Sequence, residues 1–116
     1  MEKKEEAIEF LNSMENIVLK FKNGLEFVKS NNIVASEKKV VITNDLKEIV
    51  YLDLSDNNLL GLPKGISKLC NLEVVILDNN HFSKPTRVLR GLKNLRILSM
   101  KNNSLSYLPK GLTIMT

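Results

Sequence analysis

A chain of 116 residues with 43% hydrophobic and 26% charged side chains has the composition of one soluble domain, long enough to bury a core without disulfide or metal staples. Its 17 basic and 13 acidic residues give a net charge of +4, far from a histone-like balance. The single cysteine, Cys70, excludes an internal disulfide and a cysteine-built zinc site, and the single histidine, His81, excludes a two-histidine metal motif. No apolar run approaches the ~18 residues needed to cross a bilayer. The opening MEKKEEAIEF lacks the apolar core of a signal peptide. The expectation is a soluble intracellular protein, cytoplasmic or nuclear, without membrane contact.

The first predicted element is a helix over about residues 3–16. Ala7, Phe10, Leu11, Met14 and Ile17 or Val18 recur at helical spacing, and Lys3, Lys4, Glu5, Glu6, Glu9 and Glu15 fill the other face. Two roles are open to it: covering the first edge of the core, as terminal units of repeat proteins must, or binding a partner. From Ile17 to Phe21 the pattern changes to alternation and predicts a strand. Leu25, Phe27, Asn31 or Asn32, and Ile33 then echo L-x-L-x-x-N-x-L with one extra residue. One or two degenerate repeats are therefore expected within residues 1–45, with residues 36–39 as an exposed loop and residues 40–42 on a return limb. No proline- or serine-rich linker divides the chain, so residues 1–116 are read as one domain.

A repeat of period 23 begins at Leu46. Leu46, Leu69 and Leu92 align, then Ile49, Leu72 and Leu95; Leu52, Val75 and Leu98; and Leu54, Leu77 and Met100. Asn57, Asn80 and Asn103 follow, then Leu59, Phe82 and Leu105, and finally Ile66, Leu89 and Leu112. The units are 46–68, 69–91 and 92–114. In VYLDLSDN the leucines alternate with Tyr51, Asp53 and Ser55, which is the period of a half-buried strand. Stacked asparagines can satisfy backbone groups of successive turns, because the amide carries both donors and acceptors. The return limbs LLGLPKGISK, FSKPTRVLRG and LSYLPKGLTI suit a short 3₁₀ or helical turn, with repeat two departing at Pro85 and Thr86.

Residues 46–116 resemble leucine-rich-repeat proteins of the intracellular 23-residue type, with L-P-x-x-[IL] after the asparagine loop. They are similar to the repeats of Ras-pathway scaffold proteins, of plant Ras-group repeat proteins, and of the segment preceding the nuclease in cytoplasmic deadenylases. The resemblance implies an α/β fold: a short leucine-rich-repeat solenoid with a parallel concave sheet, here with an N-terminal helical cap. It says little about function, because one scaffold serves many partners.

The residues offer little chemistry. No serine or cysteine lies in a nucleophile motif, His81 reads as a surface loop residue, Cys70 falls outside the core columns, and no glycine-rich phosphate loop is present. Asp53, Asp56 and Asp78 lie near one another, but a hard cation needs about six to eight oxygen ligands. No enzyme activity, cofactor or metal is expected. The leading expectation is protein binding through the outward columns of the concave sheet: Tyr51, Val74 and Ile97; Asp53, Ile76 and Ser99; Ser55, Asp78 and Lys101. Tyr51, Val74, Ile76 and Ile97 would form an apolar centre with a polar rim, as interfaces do. The alternative is a ribonucleoprotein-associated subunit docked through Lys64, Lys68, Arg87, Arg90 and Lys110, part of an excess of five positive charges after residue 45. Met115 occupies the column of Leu46, Leu69 and Leu92, so residues 97–100 are expected as the last strand. Its bare edge would then belong to a fragment, be capped by a partner, or rest against a larger assembly.

Overall fold

The computed structural model describes residues 2–31, 33–34, 46–83, 87–105 and 113–115. Helix α1 (Glu2–Ser13) leads into strands β1 (Ile17–Phe21), β2 (Glu26–Ser30) and β3 (Ile33–Val34). Strands β4 (Ile49–Asp53), β5 (Val74–Ile76), β6 (Ile97–Ser99) and β7 (Thr113–Met115) follow. All seven form one sheet in the order β3-β2-β1-β4-β5-β6-β7.

The step of 23 residues brings equivalent positions side by side. Strands β4, β5 and β6 pair in parallel, with Tyr51, Val74 and Ile97 abreast and Leu52, Val75 and Leu98 abreast. Alternation then sends Leu52, Leu54, Val75, Leu77, Leu98 and Met100 into the core, each almost wholly buried. The return limbs contain the 3₁₀ helices Lys64–Lys68 and Arg87–Gly91, which bury Ile66 and Leu89 against the same core. Pro63 opens the first of these with φ −69° and ψ 154°, and its carbonyl accepts from the Ile66 N–H at 3.2 Å. A proline suits that position because its φ is preset and it has no N–H to satisfy. Pro85, Thr86, Lys110, Leu112, the expected loop at residues 36–39 and the expected return limb at residues 40–42 lie outside the described residues.

Side chains of asparagine close the end of each repeat. Asn80, 3% exposed, donates to the carbonyls of Leu54, Leu77 and Asp78 at 3.0, 3.1 and 3.2 Å. Its Oδ1 accepts from the N–H groups of Asn57 and Leu59 at 3.1 and 2.9 Å. Asn57 bonds in the same way to Leu54 and Ser55, and Asn103 to Leu77, Lys101 and the Phe82 N–H. Asn16 extends the ladder beyond the periodic part: its N–H donates to Asn57 Oδ1 at 3.0 Å, and its carbonyl accepts from Asn57 Nδ2 at 2.7 Å. Asp56, Asn58, Asn79 and Asn102 adopt φ of 56–62° in these turns. Asparagine and aspartate tolerate that left-handed conformation better than other non-glycine residues.

The N-terminal segment departs from expectation. It is an antiparallel hairpin, not a degenerate parallel repeat, and the sheet is therefore mixed. Leu19 faces Phe27 on β2 and Leu52 on β4, both pairings antiparallel. The cause is the loop of Lys22, Asn23 and Gly24. Gly24 has φ +87°, a conformation open to glycine. Its N–H donates to the Phe21 carbonyl and the Phe21 N–H to the Leu25 carbonyl, both at 3.0 Å. A reversal this tight forces antiparallel pairing, since a parallel pair needs a crossover of about a dozen residues. Leu25 is consequently 47% exposed instead of filling a core column.

Helix α1 ends at Ser13, short of the expected residue 16, with Ser13 Oγ donating to the Phe10 carbonyl at 2.7 Å. Ala7, Leu11 and Met14 are buried in the one core that also takes the repeat leucines. The helix packs on the 3₁₀ helix Lys64–Lys68, where Glu6 Oε1 accepts from the Gly65 N–H at 2.8 Å.

The other end also differs. Strand β6 is not a bare edge: β7 pairs with it in parallel, Thr113 beside Ile97, Ile114 beside Leu98, Met115 beside Ser99. Ile114 follows Leu98 by 16 residues, where Leu98 follows Val75 by 23. Met115 therefore lies beside Ser99 and not in the column of Leu46, Leu69 and Leu92. Thr113 and Ile114 are β-branched, which suits a strand, and their pairing satisfies backbone groups that β6 would otherwise expose.

Candidate functional site

One face of the sheet carries the outward columns. Tyr51, Val74 and Ile97 lie abreast on β4, β5 and β6, each half-buried, and Ile76 is half-buried in the next row beside Asp53. The parallel register thus assembles the apolar centre that the repeat spacing implies. Antiparallel pairing of β1 and β2 widens this face with four residues. Lys20 faces both Glu26 and Tyr51, and Val18 faces both Val28 and Asp53. The 23-residue period does not mark these four residues, although Asn23-Gly24 after an alternating strand is a hairpin signal.

The polar rim is partly occupied by the fold itself. Asp53 Oδ1 accepts from the Ser55 N–H at 2.9 Å and from its hydroxyl at 2.7 Å. Asp78 Oδ1 accepts from the Ser99 hydroxyl at 2.6 Å and the Lys101 N–H at 2.9 Å. These bonds hold the ends of the strands in place and fix both carboxylates at the margin of the apolar row. Ser99, expected as a contact residue, is 3% exposed and bound to Asp78, so it is removed from the accessible surface. Lys101 is exposed and Ser55 half-buried.

Tyr51 is the most elaborated position on the face. Lys20 Nζ stands 4.5 Å from its ring centroid and 3.9 Å from Glu26 Oε2. Burial raises the phenol's pKa above its ordinary value, and the carboxylates of Asp53, Glu26 and Asp78 raise it further. The folded state thus favours the neutral phenol. The stabilisation is fully present below the unfolded value near 10 and is lost as pH rises through the higher folded value. Asp53→Asn, which removes a charge but keeps an accepting oxygen, is expected to bring the Tyr51 titration back towards that of a free phenol. An NMR titration of the ring checks this, and an unchanged midpoint would contradict it.

The other candidates are dispersed. Lys64, Lys68, Arg87 and Arg90 are exposed on the two neighbouring 3₁₀ helices. Cys70 is exposed, as is His81, whose Nε2 lies 3.2 Å from Asn58 Oδ1. Among the described residues no group of three His, Cys, Asp or Glu side chains is placed to hold a metal ion, and no helix is long and apolar enough to cross a membrane.

Residues 48–69, which span β4 and the first return limb, match the Leucine Rich Repeat family model. With the period and the parallel register, this identifies leucine-rich repeats within the chain. Such repeats generally mediate protein–protein interaction and are not themselves catalytic modules. The chain is similar to the adenylate cyclase of Neurospora crassa, 41% identical over 63 residues, and to that of Schizosaccharomyces pombe, 35% identical over 65. The matches cover 53% and 55% of this chain but only 3% and 4% of the two cyclases. No solved structure matches the chain significantly.

Proposed function

We propose that the chain is a non-enzymatic, intracellular protein-binding module that takes its partner on the exposed sheet face, centred on Tyr51, Val74, Ile76 and Ile97. The observation that carries this reading is the row of three apolar side chains abreast on adjacent strands, with Ile76 beside it and carboxylates at its margin. An apolar centre with a polar margin is the general anatomy of an interface, and a rigid sheet presents it at little entropic cost. Val18, Lys20, Glu26, Val28, Asp53, Asp78 and Lys101 border the contact.

The test is the double substitution Val74→Asp and Ile76→Asp. Both side chains point out of the core, so the variant is expected to fold, by circular dichroism and denaturant midpoint. Its affinity for the partner recovered from source cells should fall by roughly a hundredfold or more, the effect of losing two central contacts. Unchanged affinity in a folded variant overturns the proposal.

A second reading has one observation in its favour. Lys64, Lys68, Arg87 and Arg90 stand exposed on adjacent 3₁₀ helices that carry no acidic residue. Docking of this limb, with Lys110, on a ribonucleoprotein would make binding fall steeply with salt. Charge reversal at Lys64, Arg87 and Arg90 would then matter more than changes on the sheet face.

A further inference from the structure

We propose that the partner presents a basic amphipathic helix to this face, laying its apolar stripe along Tyr51, Val74 and Ile97 and its lysines or arginines over Asp53 and Asp78. This rests on the reading that the face binds a protein, and it names the chemistry of what is bound.

Spacing supports a helix. Neighbouring strands lie about 4.8 Å apart, so the row offers one apolar side chain at about that interval. A helix crossing the strands advances about 5.4 Å per turn and meets each strand with one residue per turn. An extended segment repeats its same-face side chains about every 6.6 Å and falls out of step with the row. An amphipathic helix also supplies a continuous apolar stripe with a charged flank.

Charge supports a basic one. The chain as a whole carries +4, and the 3₁₀ helices of its return limbs are basic. The face departs from that balance, with Glu26, Asp53 and Asp78 against Lys20 and Lys101. Lys20 is already engaged by Glu26 and by the Tyr51 ring. Asp53 lies opposite Ile76 on the neighbouring strand, and Asp78 follows Ile76 by two residues, so carboxylates flank the apolar centre on two sides. Their field reaches the Tyr51 hydroxyl, whose ionisation they oppose. Cationic side chains are therefore favoured there and anionic ones disfavoured.

The experiment titrates the isotope-labelled full chain with a synthetic helical peptide of leucine and lysine, leucines on one face, and in parallel with its leucine–glutamate counterpart. The expected result is that the lysine peptide binds and shifts the methyl signals of Val74, Ile76 and Ile97 while the glutamate peptide does not. Binding should disappear in the Val74→Asp/Ile76→Asp variant. It should weaken roughly fivefold to tenfold in Asp53→Asn/Asp78→Asn, in which the amide oxygens can still accept the bonds from Ser55, Ser99 and Lys101. Equal or tighter binding of the glutamate peptide overturns the basic assignment. Tighter binding of an extended valine–lysine peptide overturns the helical one. Failure of every peptide to bind, while Val74→Asp/Ile76→Asp still abolishes binding of the recovered partner, overturns this inference and leaves the face reading intact. Shifts confined to the 3₁₀ helices overturn it as well.

Discussion

Asn80→Ala is expected to lower the stability of the protein by about 3 kcal/mol or more, a large part of the about 5–15 kcal/mol typical of a whole domain. The amide of Asn80 makes five hydrogen bonds, to the Asn57 and Leu59 N–H groups and to the Leu54, Leu77 and Asp78 carbonyls. An alanine leaves the two N–H groups without the oxygen they donate to, at a site that is nearly closed to water. Each buried group left unsatisfied costs about 1–3 kcal/mol. Asn94→Ala is the comparison: Asn94 is exposed, its Nδ2 donates to Asn71 Oδ1 at 3.3 Å, and its loss should cost within about 0.5 kcal/mol. Urea unfolding of both variants measures the difference. Similar midpoints for the two would show that the ladder does not hold the repeats together.

Leu11→Ala should destabilise by about 2–5 kcal/mol. Leu11 is fully buried in the core that α1 covers, and truncation leaves a cavity beneath the helix. Amides of α1 should also exchange faster than those of β5, since the helix loses its main anchor first. Leu60, 80% exposed, provides the contrast, with Leu60→Ala expected within about 0.5 kcal/mol of the parent. A Leu11→Ala protein as stable as Leu60→Ala would contradict the placement of α1 over the core.

The repeat was legible because burial leaves a periodic trace. Leu52, Val75 and Leu98 recur at 23 residues, and they fall side by side on adjacent strands. The same period placed Tyr51, Val74 and Ile97 in one half-buried row on the outer face of the sheet. The hairpin was harder to read because two local signals competed. Leu25, Phe27 and Asn31 imitate a repeat, while Asn23-Gly24 marks a reversal, and the backbone of Gly24 decided the outcome. That reversal carried Lys20 and Glu26 to Tyr51, contacts no period announces. Asn16 joined the asparagine ladder at a separation of 41 residues from Asn57, again outside the period. Ser99 shares the alternation of an exposed position, but its bond to Asp78 and its place between β5 and β7 bury it. Alternation states which way a side chain points and not what neighbouring strands lay over it.

On the proposed reading the outer sheet face, and not the basic limb, takes a protein partner. The most direct test is calorimetric titration of the recovered partner into three forms of the full chain: the parent, Val74→Asp/Ile76→Asp, and Lys64→Glu/Arg87→Glu/Arg90→Glu. The sheet-face variant is expected to lose binding while the limb variant keeps an affinity within about threefold of the parent, as for charges outside the contact. Loss of binding in the limb variant, with the sheet-face variant unaffected, would contradict that reading and move the site to the 3₁₀ helices.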